Sequence, residues 1–455
     1  MCIANLLERC GLVLNSDASV DSVELVTPPR LSISIKDVAM GFRASVHPIA
    51  VKRLKCSFRC SGPMLRDDTR EIAVFLAAVS RVEEIIFDCT PMAILRNFLP
   101  FTEIPNEVQA FHRASIAALH LAASRGCTSF VVRGPPYCID DVGLSQRYKA
   151  LAASYTSPLT KMKSAIGIHT PNLLSDHDIF PDPCSLLVRW IQAMRPNRLS
   201  KLSLDDITIR NDEWSEALSS LKFPRLTYLS ITSCHISLQI VVSFLIRHPS
   251  VKTLHLGDAS TGSALEEGRV AGSTFLPLRR SRLVSLHAPA VTVRDLLLRW
   301  PNLFRQLSQI HLIADIGQAS EIDPIMGLLT PVLTGKAAKV VSLSLSPRSR
   351  DWLGTYVYTP DPTIRTTIAH IEIAARWLSL GPTRDRFPEW ISQFTSLTSI
   401  DILGPSLWSR CSKQKTRLAA AIHNRCKLVR TINIGGVEAD KDGAGSCFCP
   451  ECVGP

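Results

Sequence analysis

Three histidines are the residues in this chain best placed to do chemistry. His255, His287 and His311 each stand between two apolar neighbours, as Leu254-His255-Leu256, Leu286-His287-Ala288 and Ile310-His311-Leu312. An apolar-x-apolar triplet alternates faces as a strand does, so its central side chain points away from the buried pair. On neighbouring parallel strands, about 4.8 Å apart, such imidazoles form a row. A row of this kind suits a metal ion or a pH-sensitive contact, since imidazole titrates near neutrality and is the commonest metal ligand. It also suits a plain polar surface that holds a partner, and this second use is the one expected here. His370, with Glu372 two residues further on, and Asp401 continue the set. Its polarity runs from imidazole to carboxylate along the chain, so a basic segment would meet Glu372 and Asp401.

The other constellation is the tail, Cys447-Phe448-Cys449-Pro450-Glu451-Cys452-Val453-Gly454. A Cys-Pro-x-Cys-x-Gly turn aims two thiolates at one point, as one half of a zinc site does. A closed structural site takes about four ligands, and Cys447, Cys449 and Cys452 supply three. The tail after Gly443-Ala444-Gly445 is therefore expected to be poorly packed and dispensable, and no metal site is assigned.

What must position the histidines is a repeat. An apolar-x-x-apolar-x-apolar pattern begins clearly at Leu199, Leu202, Leu204 and returns at Leu226, Leu229, Ile231 and at Val251, Leu254, Leu256. It continues at Leu283, Leu286, Ala288; Leu307, Ile310, Leu312; Val340, Leu343, Leu345; and Ile368, Ile371, Ile373. Leu397, Ile400, Ile402 and Val429, Ile432, Ile434 close the series. Looser copies precede it at Val20, Val23, Leu25; Val51, Leu54, Cys56; Val82, Ile85, Phe87; and Cys127, Phe130, Val132, with a degenerate one around Ile166 and Ile168. The mean spacing is about 31 residues, the range of a solenoid. Helical patterns fall between the strands, at Arg70–Arg81, Glu107–Arg125, Ser185–Arg195, Asp212–Leu221, Leu238–Arg247, Val293–Trp300 and Lys413–Cys426. Several end in a stop signal, as in His248-Pro249-Ser250, Trp300-Pro301-Asn302 and Arg195-Pro196-Asn197.

Strand, helix, breaker, strand predicts an α/β solenoid, a horseshoe with a curved parallel β-sheet on the concave side and helices on the convex side. Residues 1–198 form irregular repeats, 199–440 more regular leucine-rich-like ones, and 441–455 the cysteine-containing tail. The concave positions read from each pair are Ser203, Ser230, His255, His287, His311, Ser344, Glu372, Asp401 and Asn433. The partner-binding set drawn on that face is Tyr228, Ser230, His255, His287, His311, His370, Glu372 and Asp401.

The stretch from Phe223-Pro224-Arg225-Leu226-Thr227-Tyr228-Leu229-Ser230-Ile231 to Phe244-Leu245-Ile246-Arg247-His248-Pro249-Ser250-Val251-Lys252-Thr253-Leu254-His255-Leu256 resembles the divergent leucine-rich repeats of fungal F-box-like proteins. The resemblance covers about Leu199 to Ile434. It implies repeats that hold a target and an F-box that joins a ubiquitin-ligase scaffold. No F-box is recognisable: nineteen residues precede Val20, and Val20–Leu25 and Leu31–Ile35 read as β rather than helical. The chain alone is therefore expected not to bind the ligase's linker subunit, which a pull-down with that purified subunit tests. The sequence also lacks, in most copies, the Asn that follows the strand in the stricter repeat. Cys234 falls at that position.

Composition narrows the remaining classes. With 46% hydrophobic and 20% charged residues over 455 positions, the chain lies outside the compositional range of disorder. The net charge of +11 is scattered. Its densest run, Arg279-Arg280-Ser281-Arg282, lacks interleaved aromatics, so nucleic acid is an unlikely partner. A steep loss of binding with salt would identify an anionic ligand instead. Fourteen cysteines, several in apolar strand contexts (Cys56, Cys89, Cys127, Cys234), read as reduced small hydrophobes. Met1–Asn15 contains Glu8 and Arg9 and has no secretory apolar core, and no run reaches about 18 apolar residues. A cytoplasmic or nuclear location without membrane attachment is expected. No G-x-x-x-x-G-K-[ST], G-x-S-x-G, H-E-x-x-H or strand-embedded G-x-G-x-x-G is present. Tryptophans Trp190, Trp214, Trp300, Trp377 and Trp390 fall in helical stretches, where packing accounts for them. The expectation is a non-enzymatic interaction scaffold with a protein partner and no cofactor; the alternatives are a ligase adaptor, an enzyme of unrecognised type, or a basic anionic-surface binder.

Overall fold

Thirteen of the apolar triplets become thirteen parallel strands in the computed structural model. The structure describes residues 19–27, 50–58, 63–90, 104–134, 183–257 (208 and 210 apart), 282–300, 306–316, 321–327, 340–347, 353, 362–374, 382–403, 412–435 and 437–438. The chain divides into two units, one of residues 1–251 and 259–272, the other of 252–258 and 273–455. The expected boundary at Leu199, drawn from repeat regularity, falls inside the first unit, where strands pair in register on either side of it.

The first unit contains β1 (Ser19–Thr27), β2 (Ala50–Phe58), β3 (Arg81–Asp88), β4 (Ser129–Arg133), β5 (Lys201–Asp205) and β6 (Tyr228–Thr232). Its helices are α1 (Pro63–Ala78), α2 (Ile104–Ser124), α3 (Pro183–Ala193), α4 (Asn211–Ser220) and α5 (Leu238–Arg247). Each strand pairs parallel with the next, so the triplet centres stack as Val23, Leu54, Ile85, Phe130, Leu202 and Leu229. All six are 2% exposed or less. Each such side chain contributes about 1.5–3 kcal/mol on leaving water, which is why the period-two pattern holds the sheet in one register. Phe58, Phe87, Phe111, Phe130 and Trp190 add an edge-to-face aromatic cluster beneath β2–β4. The Trp190 indole N–H donates to Ser115 Oγ at 2.8 Å, satisfying its one polar atom.

β4 pairs directly with β5, Phe130 opposite Leu202. The register leaves no place between β4 and β5 for a further strand, where the copy around Ile166 and Ile168 is expected. Those two residues lie outside the described ones.

The second unit contains β7 (Thr253–Leu256), β8 (Ser285–Pro289), α6 (Ala290–Arg299), β9 (Gln309–Ile316), α7 (Ile322–Gly327), β10 (Val340–Pro347) and α8 (Pro362–Thr367). It continues with β11 (Ile368–Ala374), α9 (Pro382–Ile391), β12 (Ser399–Leu403), α10 (Ser412–Arg425), β13 (Thr431–Ile434) and β14 (Val437–Glu438). β7 to β13 run parallel, and β14 turns back antiparallel on β13. Strand residues alternate between buried and half-buried, as iBiB in β7 and β13, so one sheet face packs against helices and the other stays open.

Two devices repeat from rung to rung. The residue before a strand donates its amide to the corresponding carbonyl of the preceding rung: Thr227 to Ser200, Ser308 to Val284, Thr398 to Ala369 and Arg430 to Thr398, at 2.8–2.9 Å. The Thr227 and Thr398 hydroxyls donate to the same carbonyls. In the first unit, an arginine at the end of one helix caps the carbonyls that close the previous helix. Arg125 reaches Ala77 O, and Arg247 reaches Leu218 O and Ser219 O, where positive charge also meets the negative end of the helix dipole.

Leu238–Arg247 is a helix over the range expected, and the others shift by a few residues. The Arg70–Arg81 expectation needs the largest correction: α1 starts at Pro63 and ends at Ala78, and Arg81 opens β3. α7 and α8 lie outside the expected helices, and α9 is expected only as the unbounded helical stretch around Trp390. The first two are six residues long, too short to show a period, and α9 carries Pro388 inside it.

Candidate binding face

The open face of the second unit carries the histidines in a continuous row. His255 lies opposite His287, His287 opposite His311, His311 opposite Ser342, Ser342 opposite His370, and His370 opposite Ser399. The ring centroids of His255 and His287 are 5.6 Å apart and tilted by 55°. His287 and His311 stack at 4.8 Å and 27°. His311 and His370 lie 6.5 Å apart at 36°, reaching toward one another over Ser342. All four rings are half-buried. The outer nitrogens have partners: His287 Nε2 pairs with Ser285 Oγ at 3.0 Å and His370 Nδ1 with Ser399 Oγ at 2.7 Å.

A second row runs one step along the strands. Ser344 lies opposite Glu372, Glu372 opposite Asp401, and Asp401 opposite Asn433. Ser344 Oγ donates to Glu372 Oε1 at 2.7 Å, Asn433 Nδ2 donates to Asp401 Oδ1 at 2.6 Å, and His370 Nε2 lies 3.6 Å from Asp401 Oδ2.

The single column expected from the sequence is therefore two rows. Ser344, read as the successor of His311, stands opposite Ile313, and Ser342 takes the place beside His311. The cause is a two-residue offset: Ile310 pairs with Val341 rather than Leu343, and the offset carries into β11, where Leu343 pairs with Ile371; a separate one-residue irregularity falls between Val341 and Ser342 on the β11 side. An offset of two preserves which face each side chain occupies, so alternation alone does not reveal it. Ser230, expected on the binding face, is 3% exposed and cannot meet a partner there. Tyr228 is half-buried in the first unit, opposite Lys201.

The two open faces differ in charge. In the first unit Arg53 pairs with Glu84 at 2.6 Å, Lys55 with Glu24 at 2.9 Å and Asp88 at 3.5 Å, and Arg133 with Asp205 at 3.8 Å. Opposite charges on adjacent strands neutralise that face from within. No strand of the second unit contains Lys or Arg. Among the described residues Glu372 and Asp401 thus meet hydroxyl, amide and imidazole groups. Burial lowers the pKa of His287, helped by the neighbouring His255. His311 is pushed down to about 4, first by burial and then by His287, His370 and His255 around it. At neutral pH these two rings are uncharged donors and acceptors.

His287 and His311 stack rather than converging on one point, and among the described residues no group of three His, Cys, Asp or Glu has metal-holding geometry. Cys447, Cys449 and Cys452 lie outside the described residues. Cys56, Cys89, Cys127, Cys234 and Cys426 are buried free thiols. Burial raises the pKa of all five, to about 12 for Cys127 and Cys234 and about 11 for Cys426. The Cys234 sulfur accepts the Ile207 amide at 3.4 Å, and its thiol donates to Thr232 O at 3.1 Å. An open hollow of about 680 Å³ in the first unit borders the turns into β4, β5 and β6, at Thr128, Asn197, Arg198 and Arg225. Its thiol, Cys127, is held protonated by burial.

The sequence reading missed Ser285 and Ser399, which hydrogen-bond the imidazoles, and Ser342, which stands between His311 and His370 in the row. A serine one or two residues from each histidine's strand neighbours was the available signal. No family model matches this chain, and comparison with curated proteins finds no match. Among the described residues no helix is long and apolar enough to cross a membrane.

Proposed function

We propose that the chain is a leucine-rich-repeat-like scaffold with no catalytic role, and that it binds a protein partner across the open face of the second unit. The observation that carries this reading is the imidazole row with its flanking carboxylates, on strands without a single Lys or Arg. A sheet face that had only to be solvated would resemble the first unit, where charges pair with each other. The second unit instead presents aromatic surface and acceptors whose charge nothing on the strands offsets. Rigid strands keep these groups in place at low entropic cost, which favours binding. Resemblance to F-box-type repeats supports the same use, with the repeats as the part that holds a target.

The test is recovery of partners from the native cell by the full chain and two variants. Ser342→Tyr places bulk in the middle of the row, whereas Leu298→Tyr changes an exposed position on α6. The proposal expects a set of proteins lost with Ser342→Tyr and kept with Leu298→Tyr. Equal recovery by all three forms overturns it. Ligase subunits within the lost set would extend the reading to a ubiquitin-ligase adaptor.

A further inference from the structure

We propose that the gap over Ser342 is a slot for an arginine side chain of the partner, the guanidinium lying between His311 and His370. This rests on reading the open face of the second unit as the binding surface, and it names what that surface recognises.

Four observations define the slot. His311 and His370 sit on strands two apart, yet their centroids are 6.5 Å from one another and their planes are 36° from parallel. A flat group between two rings needs about 7 Å, two van der Waals contacts of about 3.5 Å each, so a small outward swing admits one planar layer and no more. The floor is Ser342, a small residue that stands opposite both histidines in register. One step along the strands, about 7 Å, the Glu372 carboxylate accepts the Ser344 hydroxyl at 2.7 Å, which fixes it beside the residue two along from Ser342 on β10. Asp401 lies behind it, opposite Glu372 in register.

The occupant must be flat, cationic and rich in donors. Guanidinium is planar, stacks on aromatic faces and offers a fork of N–H donors to a carboxylate. A lysine ammonium is a hydrated point charge that neither stacks nor forks. An acidic group would face Glu372 and Asp401 directly. His311, with its pKa near 4, is uncharged at neutral pH and does not repel the cation. No Lys or Arg on these strands competes for the carboxylates.

The experiment uses the full chain and three labelled peptides, Gly-Arg-Gly-Arg-Gly-Arg and its lysine and glutamate counterparts, read by fluorescence anisotropy at low salt and neutral pH. The chain carries a net charge of +11, so general electrostatics works against the two cationic probes and favours the acidic one. The slot predicts that the arginine probe binds at least about tenfold tighter than the lysine probe. It predicts a further loss of about tenfold with Glu372→Gln, which keeps the shape and the serine contact. Arginine binding no tighter than lysine, or unchanged by Glu372→Gln, overturns the slot. If that happens while Ser342→Tyr still strips partners from the chain, the face reading stands without it. If Ser342→Tyr strips nothing, the face reading falls as well.

Discussion

Lowering the pH should leave His311 uncharged where an ordinary histidine is already cationic. At about pH 5.5 an imidazole with the usual pKa of about 6.5 is roughly nine-tenths protonated. With a pKa of about 4, His311 is protonated to about 3% at that pH. The depression comes from burial and from His287, His370 and His255, so the ring stays neutral only while the row is assembled. Linkage then works against the fold in acid. The unfolded chain takes up a proton near pH 6.5 that the folded chain refuses until about pH 4, so stability is full above 6.5 and is lost as pH falls towards 4. Between pH 7 and 5.5 the full shift amounts to about 1 kcal/mol, and to about half that after discounting for solvent at a half-buried ring. The assay is an NMR titration of histidine-labelled protein, with His311→Gln assigning the resonance, beside urea unfolding of both forms at the two pH values. The wild type should lose that increment relative to the variant. A His311 midpoint near 6.5 would refute the packing of the row.

Three further outcomes follow from other parts of the fold. Gly134 has φ +73°, and a Cβ there would meet Thr90 N at 2.6 Å and Thr90 Cα at 2.8 Å, both backbone. Gly134→Ala should lower stability by about 1–3 kcal/mol, and an unchanged urea midpoint would contradict the close approach of the two loops. Phe87, fully buried against Phe58, Phe130 and Trp190, should cost about 3–5 kcal/mol as Phe87→Ala. A loss below about 1 kcal/mol would show the cluster to be loosely packed. Cys127 and Cys234, with pKa values near 12, should resist iodoacetamide in the folded chain and react after unfolding; rapid labelling of either without unfolding would contradict their burial.

The strands were legible because their signal is local. Leu202 and Leu204 must be buried while Ser203 is not, and that alternation needs only three residues of chain. The apolar face and the order of neighbours followed from repeating it. What escaped depends on groups distant in sequence. The offset that sets His311 beside Ser342 keeps every side chain on its face, so it leaves no trace in the pattern. Ser230 occupies the position of an open-face residue, yet alternation does not say what covers it, and it is buried. The direct pairing of Phe130 with Leu202 places 71 residues between two adjacent rungs, an interval that a fixed repeat period does not anticipate. Of the candidate site, the imidazoles and carboxylates could be read from the repeat. Their serine seats and the tilt of His370 towards His311 required the assembled sheet.

The central claim is that partners dock on the imidazole row. Its most direct test is diethyl pyrocarbonate footprinting of the full chain, alone and with the proteins it recovers from the native cell. Docking on this face predicts that His255, His287, His311 and His370 lose reactivity together in the complex, while His120 and His235 in the first unit keep theirs. Unchanged reactivity of all four in a stable complex would contradict the account and place the interface elsewhere on the chain.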